Sequence, residues 1–414
     1  DLSANGEIDL GKIYQVFARK DIGISGFIRI KASFKGKQSD AKNGRYDRLD
    51  NSGTMDVKDV VLTQEMFPKP FFINQGHFRF DRDKMWFEHF QAHYGKSDLQ
   101  LDGFVENAIN YVLAKNDILK ANFNLKSKNI DLNEFSVYAS SKSSQPDTKT
   151  SQTDSKTLQT DTTTAAGVIV IPQNLDLTIK AEADKILYND ITLNRFTGGV
   201  LIRDGGIELS ETGFEIIGCQ ATMSGKYAST SMTRANFEYK LVAKDFDVQR
   251  AYKEIKLFHD LASSAEHASG IISIDYSLSG KLNEKMYPIY PTLAGGGVLS
   301  VKNVKFKNWK LFNTVSSSSG KSDLKDPELS KIDVKSSIKN NLITIERFKF
   351  KTGGFRIRFE GQTSFDNKVN FKMRIGLPPL GIIGIPLRIT GRSDNPKIKL
   401  GNSDTDPLQE KEAD

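Results

Sequence analysis

Residues 25–36 read SGFIRIKASFKG, and residues 269–280 read SGIISIDYSLSG. Both begin Ser-Gly, alternate apolar with polar residues, and end on Gly. The separation of 244 positions recurs further on: Gly53 opens GTMDVKDVVL, Gly297 opens GVLSVKNVKF, and Val57/Val301 and Val60/Val304 coincide. An equal offset across the intervening loop means that one strand–loop–strand unit is written twice. This constrains the fold more than composition does, because repeated supersecondary units stack on their neighbours instead of closing separate cores.

A second landmark recurs at an offset of 258. MWFEHFQAHYGKSDLQLDG (85–103) matches 343–361, with Phe87/Ile345, Phe90/Phe348, Gly95/Gly353, Leu99/Ile357, Leu101/Phe359 and Gly103/Gly361 aligned. A third, weaker copy is GGIELSETGFEIIGCQATMSG (205–225), which sets Ala221, Met223 and Gly225 where the first has Leu99, Leu101 and Gly103. Each copy runs into a further alternating strand: LKANFNLKSKNIDL (119–132), ANFEYKLVAKDFDV (235–248) and NKVNFKMRIGLP (367–378).

Nearly every segment alternates with period two, which predicts antiparallel strands with one apolar face and a mainly β class built of repeated antiparallel strand units. Helices are predicted over 9–20 and 246–266, with shorter turns near 129–138 and 309–315. Gly53, Asp204-Gly205 and Asn340-Asn341 read as hairpin punctuation, Gly295-Gly296-Gly297 as a flexible turn, and 316–326 as a polar loop. The chain divides into a first β unit with an N-terminal helix (1–138), a low-complexity insert expected to be disordered (139–166), a second unit ending in a helix (167–268), a third unit (269–401) and a flexible acidic tail (402–414).

Catalytic signals are absent from the pattern. The formal charge of +7 over 414 residues is compatible with anionic surfaces, but reads first as a solvated exterior. One cysteine allows neither an intramolecular disulfide nor a Cys-based metal cluster, and Cys219 reads as a small buried hydrophobe. His89 and His93 have the spacing of a helical zinc pair, but they fall in a strand, where four residues span about 13 Å. There is no phosphate loop, dinucleotide fingerprint or nucleophile elbow. No catalytic residue, cofactor or metal is expected, so the chain reads as not an enzyme. The basic–aromatic stretches 301–310 and 347–359 place their charges on the solvent side of strands, so no nucleic-acid partner is expected. No leader and no apolar run of ~18 residues is present, and the chain reads as a region excised from a longer protein.

The last stretch, GLPPLGIIGIPLRITGRSDNPKIKL (376–400), sharpens the pattern. Together with the repeated strand order it resembles the C-terminal region of AsmA-like proteins, over most of the chain apart from 139–166 and the tail. The resemblance implies a Gram-negative envelope protein, periplasmic and anchored in the inner membrane by an N-terminal helix outside this chain. It further implies kinship with repeating β-groove, bridge-like lipid transfer proteins, whose elongated, curved, taco-shaped sheets hold acyl chains. The implied partners are phospholipid or another acyl-chain lipid, the membrane, and envelope assembly proteins; the implied role is inter-membrane lipid transport and outer-membrane homeostasis. On that reading Ile28, Ile30, Leu99, Leu101, Ala221, Met223, Ile272, Ile274, Ile357 and Phe359 line the groove. Read from the residues alone, the same ten positions are equally an ordinary sheet core. A periplasmic scaffold for envelope assembly, using 139–166 and the tail as docking segments, is the alternative function. An envelope glycan enzyme finds no support in the carboxylate pattern.

Overall fold

Period-two alternation becomes one continuous sheet in a computed structural model of the chain, which describes residues 2–12, 22–37, 39–40, 50–64, 69–107, 118–135, 167–378 and 380–401. Its first strands are β1 (Leu2–Asp9), β2 (Ile22–Lys35), β3 (Asp50–Gln64), β4 (Phe71–Asp81), β5 (Lys84–Tyr94), β6 (Ser97–Glu106), β7 (Leu119–Ser127) and β8 (Ile130–Asp131). The middle strands are β9 (Leu175–Tyr188), β10 (Ile191–Arg203), β11 (Gly206–Ile216), β12 (Cys219–Ser231) and β13 (Arg234–Asp247). The last are β14 (Ala268–Leu282), β15 (Ala294–Phe306), β16 (Glu328–Lys339), β17 (Leu342–Thr352), β18 (Phe355–Ser364), β19 (Lys368–Gly376), β20 (Gly384–Arg392) and β21 (Asn395–Leu400). Short helices lie between strands, among them α1 (Val248–Glu254), α2 (Lys256–Leu261) and α3 (Lys310–Ser319).

Each strand pairs with its sequence neighbour in antiparallel register, with one exception. β7 pairs with β9 in parallel, from Leu119↔Leu175 to Ser127↔Ala183, and β8 extends that pairing at Ile130↔Ile186. Parallel partners require a crossover connection. The predicted low-complexity insert, 139–166, lies in this connection and outside the described residues, as does the tail from 402. Among the described residues no pairing joins β1 to β21, so the sheet is open, with two edges.

The register puts the apolar half of every strand on one face. Ile28 opposes Val57, Leu101 opposes Leu125, and Leu125 opposes Ala181. Further along, Met223, Leu241, Tyr276 and Gly297 form one transverse row, and Gly361, Phe371, Ile389 and Ile398 another. The opposite face carries cross-strand ion pairs such as Arg203–Asp176 (2.7 Å), Lys240–Asp275 (3.4 Å) and Arg347–Glu360 (2.8 Å). Exposed pairs of this kind contribute at most about 1 kcal/mol each, so burial on the other face dominates stability.

The repeat survives in backbone detail. The ladder slips between Phe87 and Phe90, between Leu209 and Thr212, and between Ile345 and Phe348, so the same bulge occurs in all three copies. Each bulged strand then enters a two-residue turn, at 95–96, 217–218 and 353–354. Gly103, Gly225 and Gly361 each lie opposite an aromatic residue: Phe123, Tyr239 and Phe371. In the middle copy that aromatic sits two residues beyond the shared Asn-Phe pair. A shift of two residues preserves the face, whereas a shift of one would invert it.

Three local expectations are corrected. Gly53 is not a hairpin residue but lies inside β3, where an added Cβ would come within 2.3 Å of the Lys31 carbonyl. Gly295–Gly297 likewise belong to β15, not to a turn. The absence of a side chain at Gly297 admits Tyr276 from the next strand, whose ring would lie 2.7 Å from an added Cβ. Residues 316–326 are not simply loop. α3 continues to Ser319, where Gly320 ends it in a left-handed conformation (φ 66), and Leu324 is 1% exposed in a 3-10 turn. The expected helix over 246–266 forms as α1 and α2, broken at Ile255, while that over 9–20 is described only at residues 10–12.

The sheet curls strongly. Tyr188 at the end of β9 donates its hydroxyl to the Met286 carbonyl beyond β14, at 3.0 Å. Those strands are five ladder steps apart, about 24 Å on a flat sheet, so the apolar face is concave here. The repeated Ser-Gly pair is part of this curvature. Gly270 has φ 134, and an added Cβ would sit 1.9 Å from the Asn303 carbonyl; Gly26 has φ 113, with the Asp59 carbonyl at 2.6 Å. Gly270→Ala should therefore lower unfolding free energy by about 3 kcal/mol, read from the urea midpoint. Gly320→Ala, with open space around the added Cβ, should cost only about 1 kcal/mol.

Candidate functional site

The ten positions singled out from the sequence all lie on the apolar face, but they do not share one environment. Ile28, Ile30, Leu99, Leu101, Met223 and Ile274 are half-buried. Ala221, Ile272, Ile357 and Phe359 are buried, at 3%, 2%, 2% and 6% exposure. The difference follows from what covers them.

Over β9–β20 the chain covers much of its own face, leaving Met223 and Ile274 half-buried against the same cluster. α1 begins because Asp247 caps it, its carboxylate accepting from the Arg250 amide at 2.8 Å. It delivers Val248 and Ala251 to the cluster that holds Ile272 and Val301. α2 sets Leu257 and Leu261 against Leu278, Leu293 and Ile338. α3 buries Leu311, Phe312 and Val315 in the cluster containing Ile357 and Phe359. The segment leading into β9 closes the remaining gap: Val168 is fully buried and bonds through its amide to the Met232 carbonyl, and Tyr227 donates to the Ile169 carbonyl at 2.6 Å.

Over β2–β6 the face is less covered. Val57, Val60, Phe78, Phe90 and Ala92 form its buried floor, with Ile24, Ile28, Met55, Phe87 and Leu101 partly buried around them. Among the described residues outside the sheet, Leu10 packs on this cluster, in a turn started by Asp9, which accepts from the Gly11 amide at 3.0 Å.

Two polar nodes lie outside the period-two pattern: one fastens α2, and the other ties the turn after β8 to Lys69 and Lys96. On α2, Asp260 accepts from Tyr290 and from Lys256 (2.7 Å), with His259 at 2.9 Å. Burial tends to raise the Asp260 carboxyl pKa, but the bonds from Lys256, Tyr290 and His259 outweigh it and hold the group below its ordinary range. Burial beside that carboxylate pushes the Tyr290 phenol up. The second node is Glu134, 8% exposed, which receives Lys69 Nζ and the Lys96 amide at 2.7 Å each. Burial again opposes ionisation there and is again outweighed, so its pKa is lowered.

The remaining candidates do not converge. His89 sits at a bulge with φ 53, its amide bonded to Asp102, while His93 faces Asn74 and stacks on Phe72 at 4.7 Å. Cys219 is buried, and that burial raises its thiol pKa. A cleft of about 660 Å³ between β1 and β5 is lined by Glu7, Arg29, Asp56, Gln75, His77 and His89; His77 Nδ1 lies 2.6 Å from Asp56. Among the described residues no three His, Cys, Asp or Glu side chains gather as a metal set, and no helix is long and apolar enough to cross a membrane. Comparison with protein-family profiles, characterised proteins and solved structures finds no match.

The Asp260 node has a pH signature. Its folded pKa lies below the unfolded value, so its stabilisation is present above about pH 4 and is lost as pH falls through the folded value. Asp260→Asn should lower stability by about 2 kcal/mol at neutral pH. The gap between the two proteins should close in acid, as measured by urea unfolding across pH.

Proposed function

We propose that this chain is a non-catalytic protein that takes the acyl chains of phospholipid onto its apolar face, in the service of lipid movement between envelope membranes. One observation carries the reading: a single-layer sheet holds an apolar face from edge to edge, yet among the described residues helices cover only part of it. Apolar surface on that scale has to be matched by another apolar surface. Over β2–β6, where strands spaced about 4.8 Å apart give a strip roughly 20 Å wide, acyl chains supply that surface. Shape and chemistry agree there, since Ile28, Ile30, Leu99 and Leu101 present aliphatic side chains without polar atoms. The periplasmic setting and the inner-membrane anchor rest on the resemblance to AsmA-like proteins, and envelope assembly proteins enter only through it.

The test is lipid content. Native mass spectrometry and solvent extraction of the purified protein should recover phospholipid. The Ile28→Asp/Leu101→Asp double variant should recover about tenfold less, while Lys58→Glu on the polar face should leave recovery unchanged. A folded protein that carries no lipid, or equal recovery from the aspartate variant, overturns the reading.

A further inference from the structure

Among the described residues, the turn between β19 and β20 is the most apolar exposed feature. Leu380, Ile382 and Ile383 are 60%, 75% and 75% exposed, and Leu400, at the end of the adjacent β21, is 64% exposed. Large aliphatic side chains clustered at one tip are unusual on a solvated surface. Part of the backbone beneath them is tied down from within. The Gly381 amide bonds to the Leu377 carbonyl and the Leu377 amide to the Ile383 carbonyl, both at 2.8 Å. Arg374 donates to the Gly381 carbonyl at 3.2 Å and to the Ile382 carbonyl at 2.6 Å. Each amide or carbonyl satisfied in this way is one fewer left bare when the turn meets an apolar phase, where hydrocarbon offers no partner.

Charge identifies the phase. From Arg347 to Leu400 the chain has twelve Lys and Arg against three Asp and Glu, an excess of nine, whereas the whole chain carries +7. Residues 1–346 carry a net +2 and the tail after Leu400 a net −4, so the basic excess is concentrated in residues 347–400. Arg356 lies directly under the turn, its Cδ 2.8 Å from where a Gly381 Cβ would be. Lys349, Arg358 and Arg374 oppose one another across β17–β19, and Lys351 opposes Arg356. The three acids do not offset this collar: Glu360 is tied to Arg347 at 2.8 Å, while Asp366 and Asp394 lie in the turns at the far ends of the strands. An apolar tip ringed by cations matches a surface that is anionic outside and hydrocarbon within.

We propose that this end of the sheet docks on an anionic phospholipid membrane. Leu380, Ile382 and Ile383 insert among the acyl chains, Arg374 holds the loop carbonyls, and Arg356 and Arg358 meet the headgroup phosphates. Docking does not depend on the concave face carrying lipid. It is tested by co-sedimentation of the full chain with phosphatidylcholine vesicles, with and without phosphatidylglycerol. The protein should sediment with the mixed vesicles, and added salt should release it. I382S/I383S should weaken binding about tenfold, and R356E/R358E should abolish the preference for phosphatidylglycerol. Equal binding of wild type and I382S/I383S overturns the proposal. So does no binding at all, or a loop-dependent dimer seen by light scattering without vesicles, which would make the occupant a second copy. All substitutions are at the surface, and circular dichroism checks the fold. Lipid co-purifying with I382S/I383S should equal that of wild type, so failure of docking and failure of the acyl-binding reading are separately visible.

Discussion

A sheet that is apolar along one face through twenty-one described, ladder-paired strands has to dispose of that face, and the rest of the structure can be read as the ways it does so. A sandwich would add a second sheet. This chain instead curls the one it has, until Tyr188 on β9 reaches the Met286 carbonyl five strands away. It then lays short helices and an extended segment into the concavity. Those helices are too short to be stable by themselves. They persist because Val248, Ala251, Leu311 and Val315, each at most 4% exposed, are held by the sheet beneath. Sheet and cover are therefore one cooperative unit over β9–β20, and the half-buried strip over β2–β6 is where the cover thins among the described residues.

Curvature on this scale needs places where strands bend, and the repeat supplies them at fixed positions. The bulges at Phe87–Phe90, Leu209–Thr212 and Ile345–Phe348 occur in the same strand of each copy, and bulges bend and twist the strand that carries them. Glycines opposite Phe123 and Phe371 leave room for those rings, whose edges would lie within 3.0 Å of an added Cβ, and the glycine opposite Tyr239 leaves room for its Cβ. Repetition is thus the means by which an open sheet acquires uniform curvature, since every unit bends at the same rung.

What was legible in the sequence is what depends on near neighbours. Alternation in FIRIKASF and FRIRFEG specifies a strand and its buried face, and equal offsets specify equivalent rungs. Asp9, Asp131 and Asp247 mark the strand-to-helix junctions because a carboxylate accepts from the amides just after it. What was not legible is long-range. Gly295–Gly297 look like a turn until the rings across the ladder are known. The Ser-rich stretch after Thr314 looks like loop, because its helix is held by Val315 against a core formed by other strands. The parallel pairing of β7 with β9 has no local signature. Nor has the split among the ten face positions: Ile28 and Ile357 are written in the same pattern, and only a helix from elsewhere in the chain makes one half-buried and the other sealed. The turn at 380–383 was readable as apolar but not as exposed.

The placement of the covers bears on how such a face would work. On the acyl-binding reading, the accessible strip lies at β2–β6 and the basic, apolar tip lies between β19 and β20, with the α1–α3 cover between them. A chain of lipids running the length of the concavity would have to pass beneath α2. That helix is fastened at its far end by Asp260 to Tyr290, a residue of the loop on the opposite side of the groove. The fastening is polar, lies at the margin of an apolar cluster, and joins two short elements with no backbone hydrogen bond of their own between them. Breaking it exposes a carboxylate and a phenol to water, which can solvate both, so opening there costs less than separating Leu278 from Leu293 in the cluster below. If the concavity admits acyl chains beyond β6, the Asp260–Tyr290 contact is the place where the cover gives way.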